Sequence, residues 1–283
     1  MTVVVVPLDL LAPPSLPGLA ERGPLDGDEC ADLARAMARD VVVGVADSAA
    51  DLLVTYPPAD RAAVEDPEAA ARALVEGALD QAAGDDGAAV GGGGVDPADV
   101  RVEVQAGSTR AARTGNALTH LLEREDASSA AVVDPAAPLV GRTEIDGAAM
   151  KLRSTATVLG PAERGRVYYA GFTAPVDFTD AYAPPALGTL AERARDVGHD
   201  VDFLARHPVV RTPGDLCSLL ATVRARRAAG RALPEHTVGA LESLGVRLHA
   251  AGDAADGLEP GEAGAAGDDA GVAESGGLAL ERY

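Results

Sequence analysis

Asp134 is the residue best placed to take part in chemistry, because it directly follows an apolar run of strand length. The run Ser129–Val133 stops at Asp134-Pro135, and turn residues of this kind close buried strands. In open α/β sheets, ligands bind in the crevice outside the carboxyl ends of the strands. We therefore predict that Asp134 faces a ligand site and is held there by rigid backbone. The alternative interpretation is that Asp134-Pro135 only turns the chain.

Other side chains that could carry chemistry lack the spacing that it requires. No GxSxG or HExxH motif occurs in the sequence, so a hydrolase has no starting residue. The histidines have no partner at metal-ligand spacing and are interpreted as structural. Cys30 and Cys217 lie far apart in sequence, which predicts two small core residues. Ser108 or Thr109 precedes Arg110 at the start of a predicted helix, whose first amides could receive an anion or simply be capped.

Alternating strands and helices must position Asp134. Apolar and β-branched runs bounded by Gly, Pro and Asp predict the strands, and apolar residues at a spacing of three and four predict the helices. Such alternation favours a doubly wound, mostly parallel sheet flanked by helices, an α/β fold. Strands are predicted over residues 2–6, 52–56, 100–104, 129–133, 155–159, 167–172, 201–204 and 209–210, and helices over 28–46, 67–81, 109–124, 186–197, 213–229 and 235–244. Residues 148–153 are predicted to be a connector.

The predicted domain organisation is one domain over residues 1–250. Within it, residues 84–97 are rich in glycine and acids but lack GxxxxGK[ST], so a flexible insert is favoured over a phosphate loop. Residues 251–283 are Gly, Ala and acid without periodicity, which predicts a disordered acidic tail.

The charge of the chain limits its partners. The formal net charge is −20, and Lys151 is the only lysine among 24 basic residues. A strongly hydrated acidic surface is typical of a halophilic protein in a high-salt cytoplasm, where salt screens self-repulsion; an acidic protein from a high-GC genome is the alternative. This charge argues against a nucleic acid polymer as partner. No signal peptide or membrane span is apparent, so a cytoplasmic location is expected.

Four motifs occur in the order found in one transferase family. The segment PLDGDECADL (24–33) resembles a PLSPEEAADLY helix start, and VVDP (132–135) is similar to a strand ending in Asp-Ser-Pro. GPAERGRVYYAGF (160–172) resembles GPAEDGGYYLIGL, and VVRTPGDL (209–216) resembles DIDTPEDL. These motifs belong to a family of uncharacterised transferases of glycosyltransferase-A fold, in the superfamily of nucleotide-diphospho-sugar transferases and cofactor nucleotidyltransferases. The resemblance spans residues 2–230 and implies that fold.

The resemblance also implies a site and a cofactor. The loop after the first strand would hold a nucleoside di- or triphosphate or a nucleotide sugar, and Asp134 would hold Mg²⁺ or Mn²⁺. A hard divalent cation on carboxylate oxygens neutralises a diphosphate as it leaves.

Several residues depart from the family pattern in the same direction. Acid stands where the family's basic loop has lysine, and Arg22 alone remains there to meet a phosphate. Arg164 replaces an acid, with Arg166 nearby, and Arg211 replaces another. The resemblance brings Arg164, Arg166 and Arg211 to one rim, where guanidinium groups can bind phosphate oxygens in pairs. The alternative is surface salt bridges in an acid-rich protein.

Two functions follow from these observations. The first is nucleotide-dependent glycosyl or nucleotidyl transfer, with Asp134 as the catalytic acid on the metal and the arginines on phosphates. The second is a catalytically degenerate member that acts as a nucleotide-binding or scaffold protein. The exchange of acids for arginines predicts that a diphosphate binds without added metal.

Overall fold

Strands and helices alternate along most of the chain. The computed structural model describes residues 1–12, 14–82, 95–250 and 278–282. The strands are β1 Thr2–Pro7, β2 Asp51–Tyr56, β3 Arg101–Val104, β4 Ser129–Val133, β5 Thr157–Pro161, β6 Val167–Phe172, β7 Val201–Phe203, β8 Val246–Ala250 and β9 Leu278–Arg282. The helices are α1 Pro17–Ala20, α2 Gly27–Ala46, α3 Pro67–Ala82, α4 Arg110–Glu123, α5 Arg142–Lys151, α6 Ala186–Asp196, α7 Pro213–Ala228 and α8 Glu235–Ser243.

Seven strands form one sheet in the order β3-β2-β1-β4-β6-β5-β7. Strand β6 is antiparallel to both of its neighbours, and the remaining pairs are parallel. The predicted α/β fold with a mostly parallel sheet is confirmed. Strand β4 lies between β1 and β6 and is buried along its whole length, so its carboxyl end opens near the middle of the sheet.

Helices cover both faces of this sheet. Along β1, Val4 and Val6 belong to one buried cluster, whereas Val3 and Val5 belong to the other. Successive side chains of a strand point to opposite faces, so an all-valine strand supplies apolar surface to both. The first cluster includes the buried side of α2, and the second includes residues of α4 and α6.

The structure corrects three sequence predictions. Residues 148–153, predicted as a connector, lie largely within or directly after α5, whose start at Gly141 is fixed by the Glu144 carboxylate accepting from the Gly141 N–H. Residues 209–210 form no strand, because the Val210 N–H donates to the Ala136 carbonyl of a loop at 2.9 Å. The first long helix is capped by Asp26 instead of Asp28, through a reciprocal bond with Glu29.

The predicted disordered tail is wrong for residues 278–282, which form β9 and pair with β8. Leu280 packs against the core beside α2, and Arg282 forms an ion pair with Glu29 at 2.6 Å. The remainder of the tail, residues 251–277 and 283, lies outside the described residues. The same holds for residues 83–94 of the predicted insert, whereas Pro97–Asp99 forms a turn of 3-10 helix. No helix in the described part of the chain combines the length and apolar character of a membrane span.

Candidate functional site

Asp134 lies at the carboxyl end of β4, as predicted, and is held by backbone on both sides. Its N–H donates to the Tyr168 carbonyl on β6 at 2.8 Å. Its Oδ1 accepts from the Ala136 N–H at 2.9 Å, which closes the turn at Asp134-Pro135. Only 3% of the residue is exposed. A buried carboxylate requires charged or hydrogen-bonding partners.

Two arginines supply that partnership. Nη2 of Arg211 donates to both oxygens of Asp134, at 2.7 and 2.9 Å, and Nη2 of Arg110 donates to Oδ2 at 2.9 Å. Burial alone would raise the pKa of Asp134, but the charges of Arg211 and Arg110 outweigh it and lower the pKa to about 2. The carboxylate is therefore ionised at neutral pH and is a poor proton acceptor.

Contacts between loops bring Arg211 to Asp134 across 77 positions of sequence. The Val210 N–H bond to Ala136 joins the segment before α7 to the loop after β4. The Arg211 N–H then donates to the Asp215 carboxylate at 3.1 Å. Asp215 also accepts from the backbone N–H and hydroxyl of Thr212 at 2.9 Å, which caps α7. A helix start thus fixes the backbone of Arg211.

Arg110 is placed by the start of another helix. It is the first residue of α4, directly after the N-cap Thr109, whose Oγ1 accepts from the Ala112 N–H at 3.1 Å. Its guanidinium lies 4.5 Å from the centre of the Tyr182 ring. Stacking on an aromatic face adds a favourable cation–π interaction and restricts the side chain. Arg110 and Arg211 therefore approach Asp134 from two different helix starts.

A cavity of about 320 Å³ lies next to these ion pairs. The loop after β1 and helix α2 supply most of the wall, and Arg110 and Arg211 line the opposite side. About a third of each arginine side chain is exposed, 32% for Arg110 and 33% for Arg211, so each can also contact a ligand. The cavity is lined by Asp9, Leu10, Pro14, Ser15, Leu16, Pro17, Ala34, Arg110, Pro135, Ala136 and Arg211.

The arginines predicted from sequence lie at three different kinds of position. Arg211 lines the cavity. Arg166 forms an ion pair with Asp215 at 2.5 Å and so supports the Arg211 loop from behind. Arg164 is exposed with a left-handed φ of 58°, in the turn between β5 and β6. Arg22 is exposed and approaches Gly18, which lies beside the Arg211 carbonyl.

Arg110 was missing from the predicted site residues. The sequence contained one weak signal, an arginine at the first position of a helix that follows a strand. That pattern was equally consistent with a simple helix cap, because nothing local indicates that the side chain reaches β4.

The donor set around Asp134 does not fit a divalent cation held by the protein. Both of its oxygens are engaged by guanidinium groups that would repel a metal ion. Within residues 1–12, 14–82, 95–250 and 278–282, no group of three or more His, Cys, Asp or Glu side chains could hold a metal. The arginines occupy the place that the family resemblance gives to Mg²⁺ or Mn²⁺.

Comparison with solved structures identifies the fold. A protein of Desulfovibrio desulfuricans G20 assigned to the nucleotide-diphospho-sugar transferases superposes with a TM-score of 0.64 at 18% identity, over 86% of this chain and 95% of that one. The chain has a glycosyltransferase-A-like fold. No protein-family model matches it, and no curated protein sequence does.

Two more distant likenesses have TM-scores below 0.5. One is CMP:2-keto-3-deoxy-manno-octonic acid synthetase in complex with CTP, at 14% identity and a TM-score of 0.39, covering 81% of this chain and 99% of that one. The other is a Mycobacterium tuberculosis H37Rv protein in complex with manganese, at 17% identity and a TM-score of 0.38, covering 78% and 98%.

Proposed function

We propose that this protein is a nucleotide-dependent transferase that binds a nucleoside di- or triphosphate, free or as a nucleotide sugar, in the cavity beside Asp134. The observation that carries the proposal is the convergence of Arg110 and Arg211 on one buried carboxylate at the rim of that cavity. Two guanidinium charges and one carboxylate charge leave one net positive charge there. The Asp9–Arg113 pair, with its atoms 3.1 Å apart, is neutral.

The hydrogen-bonding capacity of the arginines supports phosphate binding. Each guanidinium carries five N–H donors in a planar fork. The bonds to Asp134 use one nitrogen of Arg110 and one of Arg211. The other edges can bind phosphate oxygens in pairs, in charge-assisted bonds. Asp134 then acts as a positioning residue that holds both forks toward the cavity.

Fixed cations suit the chemistry of group transfer. When a glycosyl or nucleotidyl group leaves, negative charge develops on the departing diphosphate or pyrophosphate. Preorganised donors aimed at that charge lower the barrier without having to reorganise during the reaction. Arg110 and Arg211 would supply this stabilisation, and the ion-paired Asp134 would keep them in place.

A catalytically degenerate nucleotide-binding or scaffold protein is the second candidate. The observation that favours it is the state of Asp134, whose two oxygens are engaged and whose pKa is lowered to about 2. Such a group neither accepts a proton at neutral pH nor offers an open edge to a metal. Turnover of bound nucleotide sugars or triphosphates would distinguish the two candidates.

Calorimetry with UDP, GDP, ADP and CDP, in EDTA and in KCl that keeps the protein folded, tests the proposal. We expect at least one diphosphate to bind without metal and Arg211→Ala to weaken that binding by about 10- to 150-fold, since a hydrogen bond to a charged group contributes ~1.5–3 kcal/mol. Arg211→Lys should lose most of the affinity too, because lysine lacks the planar fork. Arg195→Ala, an exposed change on α6, is the control.

Two results would contradict the proposal. Binding that requires Mg²⁺ and is insensitive to Arg211→Ala would make the arginine pair a structural ion pair only. Failure of every diphosphate and triphosphate to bind, with or without metal, would leave a scaffold role.

A further inference from the structure

A second, much smaller cavity lies behind Arg110, on the face of the sheet covered by α4. Its volume is about 10 Å³, which is room for one water molecule or one hydroxyl group. Asp9 and Arg110 line both this cavity and the larger one beside Asp134, so the two spaces adjoin. The small cavity is lined by Val5, Pro7, Asp9, Thr55, Gln105, Arg110, Arg113, Thr114, Ala117, Leu118 and Val132.

Gln105 contributes an unpaired acceptor to this cavity. Its backbone N–H extends the β2 pairing by donating to the Tyr56 carbonyl at 2.8 Å, and only 8% of the residue is exposed. Its side-chain Nε2 donates to the Thr55 carbonyl at 3.4 Å. Since a carbonyl can only accept, this bond fixes the orientation of the amide. The other amide atom, Oε1, is buried and has no hydrogen-bond partner.

Arg113 contributes an unpaired donor. Its Nη2 lies 3.1 Å from the Asp9 carboxylate and its Nη1 donates to the Ser108 carbonyl at 3.3 Å. The Nε–H is buried without a partner. A buried polar group without a partner is costly. One small cavity therefore holds an acceptor that needs a donor and a donor that needs an acceptor.

The size and polarity of the cavity select a hydroxyl group. A hydroxyl donates one hydrogen bond and accepts others, so it satisfies Gln105 Oε1 and Arg113 Nε together. A phosphate group is too large and has no hydrogen to offer Gln105. In a nucleotide whose phosphates lie on Arg110 and Arg211, the sugar is the neighbouring part that carries hydroxyls.

We propose that Gln105 and Arg113 form a subsite that takes one hydroxyl of the ribose of the bound nucleotide, entering past Asp9. This inference rests on the proposed nucleotide binding and adds a specificity: the protein selects ribonucleotides over the deoxynucleotide that lacks this hydroxyl. A site built to bind a hydroxyl rejects the analogue without it, because its own polar groups are left unpaired.

The experiment compares ADP, CDP, GDP and UDP with their 2′-deoxy and 3′-deoxy counterparts by calorimetry on the wild-type protein. We expect one deoxy position to weaken binding by about tenfold or more. Gln105→Met and, independently, Arg113→Lys should bring the ribo and deoxy affinities together. Asn116→Leu is the matched control, because it also removes a side-chain amide bound to a backbone carbonyl, that of Ala106 at 2.9 Å, but lies outside the cavity. This variant should keep the wild-type ratio.

The alternatives give different results. Equal affinity of the wild-type protein for ribo and both deoxy ligands would overturn the subsite and leave the proposed nucleotide binding intact. A ribo preference that survives in both Gln105→Met and Arg113→Lys would overturn it as well. If no ribonucleotide binds, the subsite and the proposed function fail together.

Discussion

Two buried aspartates respond to burial in opposite directions. Asp134 has two guanidinium partners, and their charges bring its pKa down to about 2. Asp40 on α2 has only neutral donors: the backbone N–H groups of His236 and Thr237, at 3.1 and 2.8 Å, and the Thr237 hydroxyl. For Asp40 burial outweighs these bonds and raises the pKa to about 6. A full opposite charge, more than the number of hydrogen bonds, decides which form a buried carboxyl takes.

The Asp40 shift predicts a pH dependence of stability. Because the folded state holds this proton more tightly than the unfolded chain, the favourable contribution is complete below about pH 4 and is lost as pH rises to about 6. With a rise from 3.8 to about 6, the loss should reach about 3 kcal/mol. Asp40→Asn should therefore gain stability relative to wild type between pH 4 and 6, measured by urea unfolding in KCl.

The control for this measurement is Asp196→Asn, which changes an exposed carboxylate at the end of α6. Its unfolding free energy should follow that of the wild-type protein across the same pH range. If Asp40→Asn and wild type also run in parallel, Asp40 is ionised throughout and burial does not control it.

At the residue scale, sequence predicted the parts of the site that have local signals. Asp134 was found because a turn follows a buried strand, and Arg211 because it departs from a family motif. Arg110 and Gln105 were missed, because their roles depend on how α4 and the β3 end pack against β1 and β2. Arg164 was expected at the rim with Arg211, yet it is exposed in the turn after β5. A hairpin turn directs side chains according to its own backbone, which motif order does not specify.

At the element scale, a close approach of α2 holds the loop that follows Asp134. A Cβ added at Gly44 would lie 2.6 Å from the Val140 carbonyl oxygen and 2.9 Å from the Gly141 Cα. Both neighbours are backbone, so the helix or the loop must move to admit a methyl group. The glycine is therefore required by packing, in the middle of a helix that would otherwise favour alanine.

Gly44→Ala should destabilise the protein by about 1–3 kcal/mol, the usual cost of overpacking a core. Gly239→Ala is a matched control, because Gly239 lies within α8 and nothing lies within 4 Å of its added Cβ. This variant should gain up to about 1 kcal/mol from helix propensity. Urea unfolding of both variants checks the pair. Equal effects of the two changes would show that α2 and the loop move apart easily.

The same scale explains which elements sequence could predict. Strands β1, β4 and β6 are dense apolar runs and were located almost to the residue. Helix α5 was missed, because its apolar residues do not form a continuous stripe and only Ile145 and Ala148 are buried. Strand β9 was missed because its pairing with β8 and the Arg282–Glu29 ion pair are contacts across the chain. Propensity describes local preference and carries no information about such partners.

At the scale of the whole molecule, the excess of acids over bases is the dominant electrostatic feature. The chain has 44 acidic and 24 basic residues. Many of the basic residues already form ion pairs, including the two that hold Asp134. The surplus carboxylates therefore repel one another, and the repulsion acts against the compact state. The Debye length falls from about 30 Å at 0.01 M salt to about 3 Å at 1 M, so salt should relieve most of this repulsion.

We expect the unfolding midpoint to rise steeply between dilute buffer and molar KCl at pH 7. The buried pairs at Asp134 oppose this trend only weakly, because salt screens them less than it screens the surface. The same titration near pH 4.5, the sequence pI, separates screening from general salting-out, since the net charge is then close to zero and the KCl effect should be small. An equal rise at both pH values would assign the effect to ion exclusion from the surface, and no rise at pH 7 would remove the halophilic interpretation. Either outcome would mean that the acidic surface is tolerated because its charges lie far enough apart, and that the arginines at Asp134 serve the ligand site alone.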